Sequence, residues 1–172
     1  AGKEYDIFQD IVPDPPIEKI SLGVKKMLEY KPDAIVAVGG GSAIDSSKSI
    51  REFALRVDHY AEVGLIAIPT TSGTGSEVTS FAVVSDPAEQ RKYPLVSWEL
   101  PPDEAILDAE LVKSVPAAIT ADTGMDVFTH ALEACVSTDR SDFSTALAEK
   151  SIELVGVFLL RAYLDGNDTH AR

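Results

Sequence analysis

The sequence predicts an α/β domain that gives way, near Pro116, to the beginning of an all-helical one. Three observations carry this. Two short apolar runs, Ala34 to Val38 and Leu65 to Ile68, are each followed at once by a loop rich in glycine or hydroxyl groups. Apolar residues at helical spacing lie before and between those runs. Beyond Leu107 no strand signal remains, and only helical periodicity continues.

The elements follow in order. Tyr5 to Phe8 reads as a short strand ahead of the turn-rich Pro13-Asp14-Pro15-Pro16. Ile17, Ile20, Val24, Met27 and Leu28 predict a helix that stops near Lys31-Pro32. Ala34 to Val38 reads as a strand buried on both faces, as in a parallel sheet with helices on both sides. Ser42 is placed to cap a second helix, which reaches Leu55. After the linker Asp58 to Gly64 comes the second buried strand, Leu65 to Ile68, cut by Pro69. Phe81 to Val84, Tyr93 to Val96 and Ala105 to Leu107 are three further short strands. Thr120 or Asp122 opens a helix to about Val136, and Ser141 opens another to about Leu164. The expected domains are therefore 1–115, α/β, and 116–172, the start of a helical domain.

Composition narrows the function. The chain has 172 residues, 45% hydrophobic and 25% charged, as a globular protein with a core requires. Its apolar runs are too short to span a bilayer, and no apolar signal-peptide core opens the sequence. The single cysteine, Cys135, excludes an internal disulfide framework and a cysteine-based zinc cluster. A net charge of −13 is the wrong sign for a nucleic-acid partner. These features predict a cytoplasmic protein that handles a small molecule.

Three segments carry chemistry. Gly39-Gly40-Gly41-Ser42 lies between a strand and a helix, where bare backbone N–H groups and the helix dipole favour a phosphate. The spacing matches neither of the common nucleotide-loop patterns, so a tight structural turn is the competing reading. Asp45 and Lys48 follow at i and i+3. They form either an exposed helical ion pair, or a ligand pair with Lys48 near phosphates and Asp45 near a ribose or nicotinamide. Pro69-Thr70-Thr71-Ser72-Gly73-Thr74-Gly75-Ser76-Glu77 sets five hydroxyls at the end of a buried strand, where open α/β sheets bind ligands. Asp126 and His130 share one helical face at i and i+4, suited to a divalent Fe, Zn or Mn or to a plain hydrogen bond. Glu133 continues that face as a structural carboxylate. His59 and His170 read as surface residues, and Cys135 as a small buried hydrophobe.

Taken together, Gly39 through Lys48, Pro69 to Glu77, and Gly124-Met125-Asp126 through His130-Ala131-Leu132-Glu133-Ala134 resemble the iron-containing (group III) alcohol dehydrogenase family. Ile106-Leu107-Asp108-Ala109-Glu110-Leu111 also fits in order. Within the family, Asp14-Pro15-Pro16, Tyr93-Pro94-Leu95 and Thr120-Ala121-Asp122-Thr123 are most similar to the propanol and ethanol dehydrogenases of propanediol and ethanolamine utilisation. The resemblance implies a Rossmann-like nucleotide domain, incomplete at its N-terminus, followed by the first helices of a metal-binding domain. It implies NAD as cofactor, with Gly39, Gly40, Gly41 and Ser42 at the pyrophosphate and Asp45 in the cofactor groove. Thr70, Thr71 and Thr74 would line the same site, with Lys92 and Leu111 nearer its edges. Asp126 and His130 would be two of four ligands to Fe²⁺ or Zn²⁺.

Family members are longer at both ends, so the chain is expected to be an internal piece lacking the ribose-binding acid and two ligand histidines. The implied reaction interconverts a small primary alcohol and its aldehyde by hydride transfer. No side chain stands out as a general base. The alternatives are a nucleotide-binding module without turnover and a dehydroquinate synthase-like enzyme on the same fold. The resemblance also implies a homodimer or higher oligomer, in the cytoplasm or in a bacterial microcompartment.

Overall fold

The computed structural model describes residues 2–58 and 62–172. His59, and with it the middle of the Asp58 to Gly64 linker, lies outside them. The chain divides into two compact units, one of 1–69 with 76–106, the other of 70–75 with 107–172.

In the first unit, α1 (Ile17–Tyr30) leads to β1 (Ala34–Gly39), α2 (Gly41–Val57) and β2 (Gly64–Pro69). β3 (Phe81–Asp86), β4 (Arg91–Val96) and the two-residue β5 (Glu104–Ala105) follow. β1, β2 and β5 form a parallel sheet in the order β1-β2-β5, with Val36 opposite Ile66 and Val38 opposite Ile68. β3 and β4 form a separate antiparallel hairpin in which Val83 faces Pro94. The parallel β1–α2–β2 unit is the crossover that the alternating apolar runs predict.

One core joins Ile20 and Met27 of α1 to Ile50 and Ala54 of α2, with Val63 and Val84 closing it. Gly23 lets the two helices meet, since a Cβ there would lie 2.2 Å from the Ile50 side chain. A second cluster sets Ile44 of α2 on Ala37, Leu65 and Ala67 of the sheet. Ile44 and Leu65 are fully buried, each stabilising the fold by about 1.5–3 kcal/mol relative to exposure.

Three expectations need correction. Tyr5 to Phe8 is not a strand, because no neighbouring strand offers its backbone a ladder; only Phe8 packs, against the first core. β1 is covered on one face alone. Ala37 is 4% exposed under α2, while Val36 and Val38 on the opposite face are 56% and 59% exposed. Ser42 does not cap α2; Gly40 occupies the N-cap position and no side chain bonds to the first turn.

The second unit pairs α3 (Ala117–Val136) with α4 (Asp142–Leu164) behind a short 3₁₀ turn at Ala109–Val112. Ser141 caps α4 as predicted, in a capping box with Ser144. The helices meet at Gly124, where an added Cβ would lie 2.2 Å from the Leu159 side chain. α3 begins at Ala117, one turn ahead of the expected Thr120, because Pro116 supplies a start with no N–H to satisfy. No helix among the described residues is long and apolar enough to cross a membrane.

Candidate functional site

The first unit presents the glycine loop. β1 ends on Gly39 with φ +152°, in a region that favours glycine, and an added Cβ would lie 2.6 Å from Ala43 Cβ. The chain thus turns from strand to helix with almost no room between them. The first bonds of α2 run from Ala43 N (3.0 Å) and Ile44 N (3.2 Å) to Gly40 O. Gly41 and Ser42 precede those bonds, so their N–H groups have no intrahelical acceptor. The first turn also carries neither a side-chain cap nor an acidic residue. A helix start left open in this way attracts an anion through its amides and its dipole.

One turn further, Asp45 and Lys48 form no exposed ion pair, and Lys48 departs from its phosphate reading as well. Lys48 is fully buried, and its Nζ donates to Thr79 O (2.8 Å), Thr79 Oγ1 (3.1 Å) and Phe81 O (2.9 Å). It therefore forms no exposed ion pair, and its ammonium points at backbone carbonyls instead of at a phosphate. Burial holds the Lys48 pKa below its ordinary value, against the opposing charges of Asp45 and Glu77. Asp45 Oδ2 accepts from Val83 N at 3.0 Å, and Ser76 also donates to the carboxylate. Desolvation still raises the Asp45 pKa above its ordinary value. Asp45 Oδ1 is buried with no donor, an acceptor that a ribose hydroxyl or carboxamide N–H would satisfy.

Arg51, unremarked in the sequence, continues this stripe. Its guanidinium donates to the carbonyls of Glu99, Leu100 and Pro101 and to Asp103 Oδ2. A basic residue at i+3 from Lys48, beside the core position Ile50, was the available signal. Lys92, on β4, is exposed and holds Asp14 Oδ1 at 2.6 Å.

The second unit carries the hydroxyl loop and the Asp–His pair. Thr70 and Thr71 are half-buried and Thr74 is exposed. Gly73 packs so closely on α3 that a Cβ would lie 2.5 Å from Thr123 Cβ. Leu111 lies in the 3₁₀ turn that Asp108 caps through Glu110 N.

Asp126 and His130 share the solvent side of α3, with His130 Nδ1 3.7 Å from Asp126 Oδ2. That distance is too long for the plain hydrogen bond that was the alternative reading. It is near the roughly 3.4 Å edge of a tetrahedral shell with bonds of about 2.1 Å. One oxygen and one nitrogen fit a divalent transition ion, but no cluster of three His, Cys, Asp or Glu occurs among the described residues. Glu133 is exposed, and Cys135 is half-buried instead of fully so. His170 is exposed, as expected of a surface residue, and its ring meets Phe158 edge-on at 5.2 Å. Both line a cavity of about 450 Å³ between α3, α4 and Arg172, which donates to Thr120 Oγ1 at 2.6 Å.

Comparison with known proteins places these segments. The family profile described as iron-containing alcohol dehydrogenase matches residues 1–109. That of the C-terminal part of the Fe-containing alcohol dehydrogenase family matches residues 120–172. The chain is 51% identical over 171 residues to the 1-propanol dehydrogenase PduQ of Citrobacter freundii, covering 97% of the chain and 45% of that protein. It is 38% identical to the NADPH-dependent butanol dehydrogenase of Clostridium saccharobutylicum, over 95% of the chain and 46% of that protein.

Among solved structures, the alcohol dehydrogenase of Oenococcus oeni aligns with a TM-score of 0.91 at 31% identity, over 99% of the chain and 47% of its own. The sulfoacetaldehyde reductase of Bifidobacterium kashiwanohense in complex with NAD⁺ aligns at 0.89 and 34%, over 95% of the chain and 47% of its own. The chain therefore spans about half the length of the proteins it matches.

Proposed function

This chain belongs to the iron-containing alcohol dehydrogenase family, and on that premise we propose that it works in the reversible oxidation of a small primary alcohol to its aldehyde, with NAD and Fe²⁺ or Zn²⁺ as cofactors. The observation that carries the reading is the open start of α2, a helix N-terminus without side-chain cap or acid that begins on the third of three glycines. Its amides at Gly41 and Ser42 would receive the pyrophosphate, with Gly39 and Gly40 giving the backbone close approach. Asp45 Oδ1, buried and without a donor, would accept from a ribose or carboxamide donor. From the family resemblance, Thr70, Thr71, Thr74, Lys92 and Leu111 are also proposed as NAD-binding residues.

Asp126 and His130 would hold the divalent ion. When bound, that ion would supply Lewis acidity toward an alcohol oxygen, and NAD would supply the hydride acceptor. The chain's own share is binding and orientation. The proposed domains are a nucleotide domain over 1–115 and a metal-binding helical domain from 116.

A dehydroquinate synthase-like reaction would need several cations around a charged substrate. α3 carries no Lys or Arg over its whole length, Ala117–Val136, which favours an uncharged alcohol instead. The similarity to the Citrobacter freundii protein makes 1-propanol the first substrate to try, and the family resemblance makes the cytoplasm or a bacterial microcompartment the place to look for the protein. A homodimer or higher oligomer is part of this proposal and rests on the family resemblance.

The test is alcohol-dependent NADH formation by the natural gene product with 1-propanol and Fe²⁺ or Zn²⁺. Turnover is expected. Nucleotide binding without turnover under either metal would leave a binding module in its place.

A further inference from the structure

Among the described residues Lys48 is the largest fully buried side chain of the first unit, and no carboxylate of theirs lies within ion-pair distance of it. An ammonium taken out of water with no carboxylate in direct contact is expensive, even with the charges of Asp45 and Glu77 nearby, and an aliphatic side chain would fill the space more cheaply. All three of its donors are used, however, and all on one short segment: Thr79 O, Thr79 Oγ1 and Phe81 O. One turn earlier on α2, Asp45 takes Val83 N; one turn later, Arg51 takes the carbonyls of Glu99 and Pro101. Three polar anchors at i, i+3 and i+6 thus fix the rotation and the axial position of α2 against β3, the turn before it and the Glu99–Pro101 loop. An apolar helix face slides and rotates at small expense; a set of directional bonds to carbonyls does not.

What α2 carries at its other end is the glycine-capped start, two turns ahead of Lys48. A hydrogen bond weakens steeply with small errors of distance and angle, so amides displaced by 1 Å no longer serve one anion together.

We propose that Lys48 is a positioning residue of the nucleotide site: its ammonium locks α2 to Thr79 and Phe81 and thereby holds the Gly41 and Ser42 amides in register with a bound pyrophosphate. The proposal rests on reading Gly39 to Ser42 as the phosphate loop. Lys48 itself touches no ligand. Its effect reaches the nucleotide through the helix, and it has no part in recognising the alcohol.

The test uses the natural gene product and three variants. Lys48→Met keeps the length and removes the head, Lys48→Arg keeps the charge with a fork that does not match three converging acceptors, and Gly40→Val blocks the loop directly. The dissociation constant of NAD is measured by calorimetry, KM is measured separately for NAD and for 1-propanol, and hydrogen exchange is followed at the Val83 amide. Lys48→Met is expected to weaken NAD binding about tenfold, the size of one lost charge-assisted hydrogen bond. KM for NAD should rise in parallel while KM for 1-propanol stays put, and the Val83 amide should exchange faster. Lys48→Arg should fall between the two.

Should Lys48→Met fail to fold, Thr79→Val removes one of the three acceptors alone, and a two- to threefold rise in the NAD dissociation constant is expected. An unchanged dissociation constant in the folded Lys48 or Thr79 variants overturns the proposal. Gly40→Val then separates the two readings: if it abolishes binding, the phosphate loop stands and only the positioning role falls. If Gly40→Val also leaves binding intact, both fall.

Discussion

Arg51 donates through Nη1 to Asp103 Oδ2 at 3.1 Å, and the same oxygen accepts from Leu65 N at 2.7 Å. One carboxylate thereby ties α2 to the start of β2. The two partners are not equivalent. The Arg51 side chain is 8% exposed and reaches several carbonyls, whereas that of Asp103 is 62% exposed. Arg51→Ala should therefore destabilise the first unit by about 3 kcal/mol, because it removes the donor to the carbonyls of Glu99, Pro101 and the buried Leu100. Asp103→Ala should cost about 1 kcal/mol, mostly the bond to Leu65 N, since an exposed ion pair adds little. Urea unfolding of both variants checks the order. Equal losses would show that the carbonyl contacts are not what Arg51 contributes.

The glycine loop predicts two different failures from neighbouring substitutions. Gly39→Ala places a Cβ 2.6 Å from Ala43 Cβ at a φ of +152°, so it should lower stability by about 2 kcal/mol. Gly40 has φ −77°, which any residue adopts, so Gly40→Val should fold nearly as well and lose nucleotide instead. Thermal unfolding and NAD calorimetry on both variants separate the effects. A Gly39→Ala protein as stable as the parent would mean that strand and helix sit further apart than described.

Much of this arrangement was legible in the sequence, and the reasons for the rest are physical. The short apolar runs, the glycine loop and Ser141 are local signals, and each found its element because only neighbouring residues were involved. Tyr5 to Phe8 failed for the opposite reason: a strand exists only if another strand accepts its hydrogen bonds, and no alternating pattern reports that. Reading β1 as doubly buried failed because an apolar run states what a strand tolerates, not what covers it. Lys48 was misread through a habit that places lysine heads at solvent or phosphate. Its acceptors, Thr79 and Phe81, are more than thirty residues away in sequence and were invisible to any local argument.

The buried charges on α2 also predict a pH dependence with opposite signs at the two ends of the scale. Asp45 has a folded pKa above 3.8, so between those values the folded state binds more protons than the unfolded one. Stability must fall as pH rises through that window, and the loss persists above it. Lys48 has a folded pKa below 10.5, so there the unfolded state binds more protons and stability must rise with pH up to about that value. Asp45→Asn should remove the acid-side slope and Lys48→Met the alkaline one. Urea midpoints of parent and variants across pH 4 to 10 check this by difference. A parent-minus-variant profile that is flat on either side would mean that the group in question is not desolvated.

The last expectation concerns the ion. Asp126 and His130 offer two donors on one face of α3, and no third His, Cys, Asp or Glu joins them among the described residues. A catalytic tetrahedral site takes three protein ligands and keeps one position open, so two donors leave a cation largely hydrated. These 172 residues alone should therefore hold Fe²⁺ or Zn²⁺ weakly and release it on dialysis, giving no alcohol-dependent NADH. The natural gene product should retain the ion and lose both metal and turnover on Asp126→Ala or His130→Ala. Replacing either donor leaves the nucleotide loop untouched, so NAD affinity should stay within about twofold of the parent. Metal analysis after dialysis, NADH formation and NAD calorimetry together decide the matter. Stoichiometric metal on the 172-residue chain would mean that further ligands converge there, with Glu133 and Asp122 of the same helix the first to replace. Full turnover in His130→Ala would reduce the pair to two polar residues on the solvent face of α3.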